Sequence, residues 1–149
     1  AAERRFANLP PLLRATVESF AGVGYYFRLA NLRAGEHVVD LGSGSGMDSF
    51  IAAHKVGVDG QVTGIDMTDA QLAKADRLGK EHAFRSVQFR RALIDATGLS
   101  DRCCDVVISN GVINLSPDKD AVFRIASTYG CLGRSPSAYI RGHGIISCG

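Results

Sequence analysis

Three aspartates and three glycines stand where this sequence could do chemistry. Gly42, Gly44 and Gly46 alternate with Ser43 and Ser45 directly behind the apolar run at 38–41, and Asp40 lies just ahead of them. Asp66, followed by Met67, closes the next apolar segment, and Ile94 with Asp95 comes after a third. Glycine reaches backbone angles that other residues adopt only with strain, and its missing side chain lets a ligand touch the main chain. The helix start behind such a loop offers unpaired N–H groups. A carboxylate at the tip of a second strand can accept both hydroxyl hydrogens of a ribose, and it would repel a 2′-phosphate. Met67 offers a polarizable surface to a purine ring, and Asp95 offers an acceptor to an exocyclic amine. These residues together describe a pocket for an adenosine-bearing ligand. Plainer roles stay open at this point: a tight turn uses the same glycines, aspartates at strand ends cap helices, and Met67 can fill core. The spacing is Gly-x-Gly-x-Gly, not the G-x-G-x-x-G of dinucleotide binders.

Such residues need a scaffold that brings strand ends together, and the chain has the pattern for one. Apolar runs at 37–41, 61–66, 86–90 and 104–109 read as strands. Between them, 46–57 and 68–84 read as helices, the first with Phe50, Ile51 and Ala53 turned to the sheet. Thr68 with Gln71 has the spacing of a capping box. Ser116-Pro117 predicts a further helix, with serine as cap and proline in its first turn. Strands alternating with helices predict right-handed crossovers and a parallel sheet covered on both faces. Ligands of such sheets bind beyond the carboxyl ends of the strands, where strand order reverses. An N-terminal helix is read at 10–21, with a further turn near Arg28–Leu32, and Tyr25, Tyr26 and Phe27 offer either a lid or packing. The expected division is an N-terminal helical segment over 1–35, a ligand-binding core over 36–124 and a tail over 125–149.

Composition narrows the function classes. With 46% hydrophobic and 21% charged residues, the chain is globular rather than disordered. A net charge of +2 is too weak to argue for nucleic acid or an acidic membrane surface. No apolar stretch approaches the ~20 residues of a membrane span. The start has no signal-peptide core, so the expectation is a cytoplasmic protein. Cys103, Cys104, Cys131 and Cys148 have no metal-ligand spacing, and free thiols in a reducing compartment are expected. His37, His54 and His82 lack orienting partners in sequence and are read as structural or solvated.

The stretches 18–24, "VVDLGSGSGMDSFIAA" (38–53), "GIDMT" (64–68) and "DVVISNGVINLSPDK" (105–119) carry a resemblance. In them the chain resembles the class I S-adenosylmethionine-dependent methyltransferases, in the group that includes the arsenite methyltransferases. The resemblance covers most of the chain up to about Arg124. It implies a Rossmann-like α/β fold, S-adenosylmethionine as cofactor and a small-molecule methyl acceptor. By the same resemblance Gly42, Ser43, Gly44 and Gly46 contact the methionine part of the cofactor, and Asp40 polarises that region. Asp66 holds the ribose, Met67 the adenine face, and Ile94 with Asp95 the adenine edge. Asn110 lies beside the methionine moiety and the acceptor. Neither a catalytic base nor a metal site is expected, since the protein's part in such chemistry is positioning and exclusion of water.

Two departures qualify the resemblance. The arsenite enzymes carry a cysteine after the Ser-Asn that ends the fourth strand, and here Gly111 stands there. A soft metalloid asks for thiolates, which glycine lacks, and Cys103-Cys104 fall at the far end of that strand. Beyond residue 124 the family pattern stops, so the family's last strands are read as missing or replaced. A frameshift, a recombination or an engineered truncation would produce such an end. Either the tail adds a substitute strand, or two chains pair along the bare sheet edge as a homodimer. A cofactor-binding remnant without transfer activity is the alternative to an active enzyme.

Overall fold

A computed structural model describes residues 30–129, 137–141 and 146–147. The elements are β1 (His37–Leu41), α1 (Met47–Val56), β2 (Gln61–Asp66), α2 (Asp69–Glu81), β3 (Val87–Arg91), β4 (Val106–Asn110), a 3-10 turn (Ile113–Leu115) and α3 (Lys119–Tyr129). Strands β5 (Ser137–Arg141) and β6 (Ile146–Ser147) follow. The sheet runs β3-β2-β1-β4-β5-β6. Its first five strands are parallel, and β6 is antiparallel to β5. This is the expected α/β architecture, with β1 and β4 at the centre.

Alternating side chains of the central strands feed two apolar layers. Val38, Val62, Val106 and Ile108 pack with Phe50, Ile51 and Val56 of α1 and Leu78 of α2. On the opposite face Val39, Leu41, Ile65 and Val107 meet Val122 and Ala126 of α3. Burial on both faces explains why these strands read as unbroken apolar runs. In α2 the buried residues are Leu72, Ala75 and Leu78, a single stripe at helical spacing. Phe50 anchors the first layer through ring contacts with Phe84 and Phe89 at 4.8 and 5.7 Å.

Several boundaries and caps differ from those read in the sequence. The third strand is Val87–Arg91 and the fourth starts at Val106. Cys104 packs against the α3 face, and the Asp105 N–H donates to the His37 carbonyl at 2.8 Å. Thr68 occupies the N-cap of α2, yet its hydroxyl makes no cap hydrogen bond, so the capping box does not form. Its backbone N–H instead donates to Asp66 Oδ1 at 2.8 Å, an Asx turn that already settles the corner. Ser116 stays extended, at φ −71° and ψ 134°, as a residue before proline prefers. Helix α3 starts later, and Asp118 Oδ1 accepts the Ala121 N–H at 2.8 Å in the capping role assigned to Ser116.

Of the two outcomes read for the tail, a substitute strand is present: β5 pairs in parallel with β4, Ile108 opposite Tyr139. Strand β4 is therefore internal and does not form the sheet edge. The helix read at 10–21, the stretch at 18–24 and the Tyr25–Phe27 group lie outside the described residues.

Candidate functional site

The glycine loop is built by backbone geometry. Gly42, Gly44 and Gly46 all lie at positive φ, 77°, 54° and 91°, a region costly for any side-chain-bearing residue. Two of the three are also required by packing. A Cβ on Gly42 would sit 2.2 Å from Val112 Cγ2, and one on Gly46 would sit 2.7 Å from Phe89 Cζ. Gly42 thus lets the loop after β4 close onto the loop after β1, at the point where strand order reverses. The Gly42 and Ser43 N–H groups donate to the Ile65 carbonyl at 2.7 and 2.9 Å, which lashes the loop to β2.

Asp66 ties the same loop from the side. Its Oδ2 accepts the Gly44 N–H at 2.9 Å, while Oδ1 accepts the Thr68 N–H. A carboxylate has about four lone-pair sites, so each oxygen keeps capacity for another donor. Asp40, 1% exposed, is the deepest acid of the group. Its Oδ2 accepts the Ser49 hydroxyl at 2.7 Å. Burial above all, then the charges of Asp48 and Asp66, pushes its carboxyl up to about 8, against the lowering pull of Ser49. Its surroundings therefore disfavour the charged form of Asp40.

A cavity of about 220 Å³ opens beyond the strand tips. Gly42, Asp66, Met67, Ile94 and Asp95 of the expected site line it, joined by Thr68, Ala92, Leu93, Val112, Leu115, Ser116 and Pro117. Its walls are largely apolar, with carboxylates at two points. Met67 is 66% exposed, so it forms a wall of this opening and does not fill core. Asp95 accepts the Ser116 hydroxyl at 3.3 Å across the cavity mouth.

The other expected residues lie around the cavity without lining it. Ser43 is buried over β2, where a Cβ on Gly64 would come within 2.9 Å of it, and its hydroxyl has no hydrogen-bond partner among the described residues. Gly44 joins the group through Asp66, and Gly46 sits at the head of α1. Asn110 is drawn to α1, where its Nδ2 donates to Asp48 Oδ2 at 2.9 Å. Asp48 and Ser49 escaped the sequence reading because they looked like ordinary first-turn helix residues. Val112, Leu115 and Pro117 escaped it because the stretch was read as the lead into a helix. Their signal was position: they follow the strand on the far side of the reversal point. Cys103 and Cys104 are remote from the cavity, at the start of β4, and burial pushes both thiols up. Among the described residues no His/Cys/Asp/Glu cluster suited to a metal occurs, and no helix is long and apolar enough to cross a membrane.

Residues 32–132 match a family model described as a methyltransferase domain. The chain belongs to the methyltransferase-domain family. An arsenite methyltransferase of Halobacterium salinarum is 43% identical over 102 residues, covering 68% of this chain and 26% of that protein. One of Aquipseudomonas alcaligenes is 48% identical over 99 residues, covering 62% of this chain and 29% of that protein. The crystal structure of an arsenic(III) S-adenosylmethionine methyltransferase from Chlamydomonas reinhardtii superposes with a TM-score of 0.75 at 35% identity. That match covers 93% of this chain and 47% of the other. This methyltransferase-domain chain thus spans little more than a quarter of the length of those two curated relatives. The matched span contains every described residue of the cavity and its surround.

Proposed function

We propose that this chain binds S-adenosylmethionine and forms the cofactor-binding core of a methyltransferase for a small molecule. What carries the reading is the single cavity that joins a glycine loop, the Asp66–Met67 corner and the Ile94–Asp95 corner. Its chemistry suits an adenosine: apolar walls for a purine, Asp66 for a ribose diol, Asp95 for an exocyclic amine. Open space where a Cβ on Gly44 would stand, and the buried hydroxyl of Ser43 with no partner among the described residues, fit a loop made for close main-chain approach. Gly42, Ser43, Gly44 and Gly46, with Asn110 opposite, would hold the methionine end.

When bound, S-adenosylmethionine supplies its own electrophile, a methyl group on a sulfonium. The chain's share is then to orient that end, hold an acceptor in line and keep water out. Residues 36–124 form the core of this proposal, flanked by the N-terminal segment 1–35 and the tail 125–149. The relatives are named for arsenite; with Gly111 at the tip of β4, the proposal keeps to a small acceptor and assigns it no thiolate ligand. It also includes a cytoplasmic setting, no nucleic-acid partner, a C-terminus altered from the family's and pairing of two chains along a sheet edge. Light scattering at high concentration tests the pairing.

Calorimetry with S-adenosylmethionine and S-adenosylhomocysteine tests the cofactor. Both should bind with one site per chain, and Asp66→Ala should lose at least tenfold in each affinity. No heat from either ligand, with the chain folded, would refute the reading. Turnover with a panel of small acceptors separates an active enzyme from a binding remnant.

A further inference from the structure

One contact at this site has no part in the cofactor assignments above. Asp48 sits in the first turn of α1 and is 8% exposed, and its Oδ2 accepts the Asn110 Nδ2 hydrogen at 2.9 Å. The next residue, Ser49, gives its hydroxyl to Asp40 at 2.7 Å. Two consecutive residues of α1 thus grip the tips of β1 and β4, the two strands between which the order reverses. We propose that Asp48 is a positioning residue, which sets the orientation of the Asn110 amide at the cofactor's methionine end.

The chemistry of the pair gives the direction. A carboxylate only accepts hydrogen bonds, so it selects the amide nitrogen and turns the amide oxygen away from α1. Asn110 is thereby fixed as an acceptor on its other side, which suits the cationic sulfonium and ammonium groups of the cofactor. A neutral partner could not enforce this, because two amides can donate in either direction. The head of a helix also favours an acid at this place. The Ser109 hydroxyl, donating to the Leu41 carbonyl at 2.8 Å, locks the neighbouring residue of β4 to β1 and leaves Asn110 little backbone freedom.

The inference rests on the cofactor reading, and the test separates the two. S-adenosylmethionine and 5′-methylthioadenosine, which lacks the amino-acid end, are titrated calorimetrically into the full chain and its variants. If wild type binds neither, the cofactor reading fails and this inference falls with it. Asp48→Asn keeps a hydrogen bond but loses its polarity. It should melt with wild type, bind 5′-methylthioadenosine within twofold and lose about tenfold for S-adenosylmethionine, as expected for a charge-assisted contact. Asn110→Asp alone should lose more, since two carboxylates then meet. The reversed pair, D48N/N110D, should return to within about threefold of wild type. Equal loss for both ligands in Asp48→Asn, or no loss for either, would overturn the proposal, as would a reversed pair no better than Asn110→Asp.

Discussion

Replacing Asp40 with asparagine should make the folded chain more stable at neutral pH, even though it removes an acid from the candidate site. Asp40 is 1% exposed, and its carboxyl is raised from 3.8 to about 8, first by burial and then by the charges of Asp48 and Asp66. Well below pH 4 both folded and unfolded chains carry the proton, and the group costs nothing. As pH rises toward 8 the unfolded chain ionises while the folded chain does not, so stability falls by about 1.4 kcal/mol per pH unit. Between pH 5 and 7.5 the loss is on the order of 3 kcal/mol, a large part of a typical domain's ~5–15 kcal/mol. Above about 8 both states are ionised and the slope ends. Asparagine has nearly the same shape, and its Oδ1 can accept the Ser49 hydrogen bond that Asp40 accepts at 2.7 Å. Urea unfolding of wild type and Asp40→Asn from pH 4.5 to 8.5 checks this. Subtracting the two curves removes the contribution of the carboxylates that do not interact with Asp40, leaving Asp40 with its neighbours Asp48 and Asp66. The difference should be small at pH 4.5 and grow in favour of the variant through pH 7.5. Parallel curves, or a variant that is less stable throughout, would refute the argument that Asp40 is buried and protonated.

Gly42→Ala should destabilise by roughly 2–4 kcal/mol, combining a left-handed φ with overpacking, because its Cβ would lie 2.2 Å from Val112 Cγ2. Adding Val112→Ala should restore the steric part only, as read by thermal melting. Met67→Ala should leave stability within ~0.5 kcal/mol, as for other exposed positions, yet weaken S-adenosylmethionine several-fold in calorimetry. Cys103 should alkylate slowly at pH 7 and faster as pH rises, with Cys104 lagging behind it, because burial raises both thiols and Cys104 is 1% exposed. Peptide mass spectrometry after timed iodoacetamide treatment resolves the two.

Much of the central sheet could be read from the sequence, because strands buried on both faces leave unbroken apolar runs. The segment at 61–66 matches β2 residue for residue, and the glycine run marks the turn after β1. Local chemistry was less legible. Thr68 and Ser116 look like caps, but Asp66 and Asp118 reach the relevant N–H groups first. One side of the cavity wall was hidden for a different reason. Val112, Leu115 and Pro117 gain meaning only from the folding of β4 beside β1, a tertiary relation that no short window contains. Strand β5 was foreseen only as one of two ways to cover β4. Gly130, Gly133 and Pro136 all stand before it, so no unbroken pattern leads from α3 into the strand. The upward shift of the Asp40 carboxyl was illegible too, since it comes first from burial and then from acids contributed by α1 and β2.

Asp66 shows why the structural and functional readings of such residues need not compete. In the sequence it could be a ligand acceptor or a local cap, and the geometry supports both through one group. Oδ1 closes the Asx turn that starts α2, and Oδ2 holds the Gly44 N–H of the glycine loop. Those bonds aim the carboxylate while using only part of its accepting capacity. An amide could not stand in, because its nitrogen would face an N–H donor at Gly44 or at Thr68. The fold itself therefore requires the acid, and the bonds that require it orient its remaining lone pairs. The loop stays shaped because its main chain is tied to β2 at Ile65 and at Asp66. Positioning of this kind is what a methyl-transfer site needs from its protein, since the electrophile comes with the cofactor. On the proposed reading, the hydrogen bonds that fold the β1–α1 corner also prepare the cofactor site.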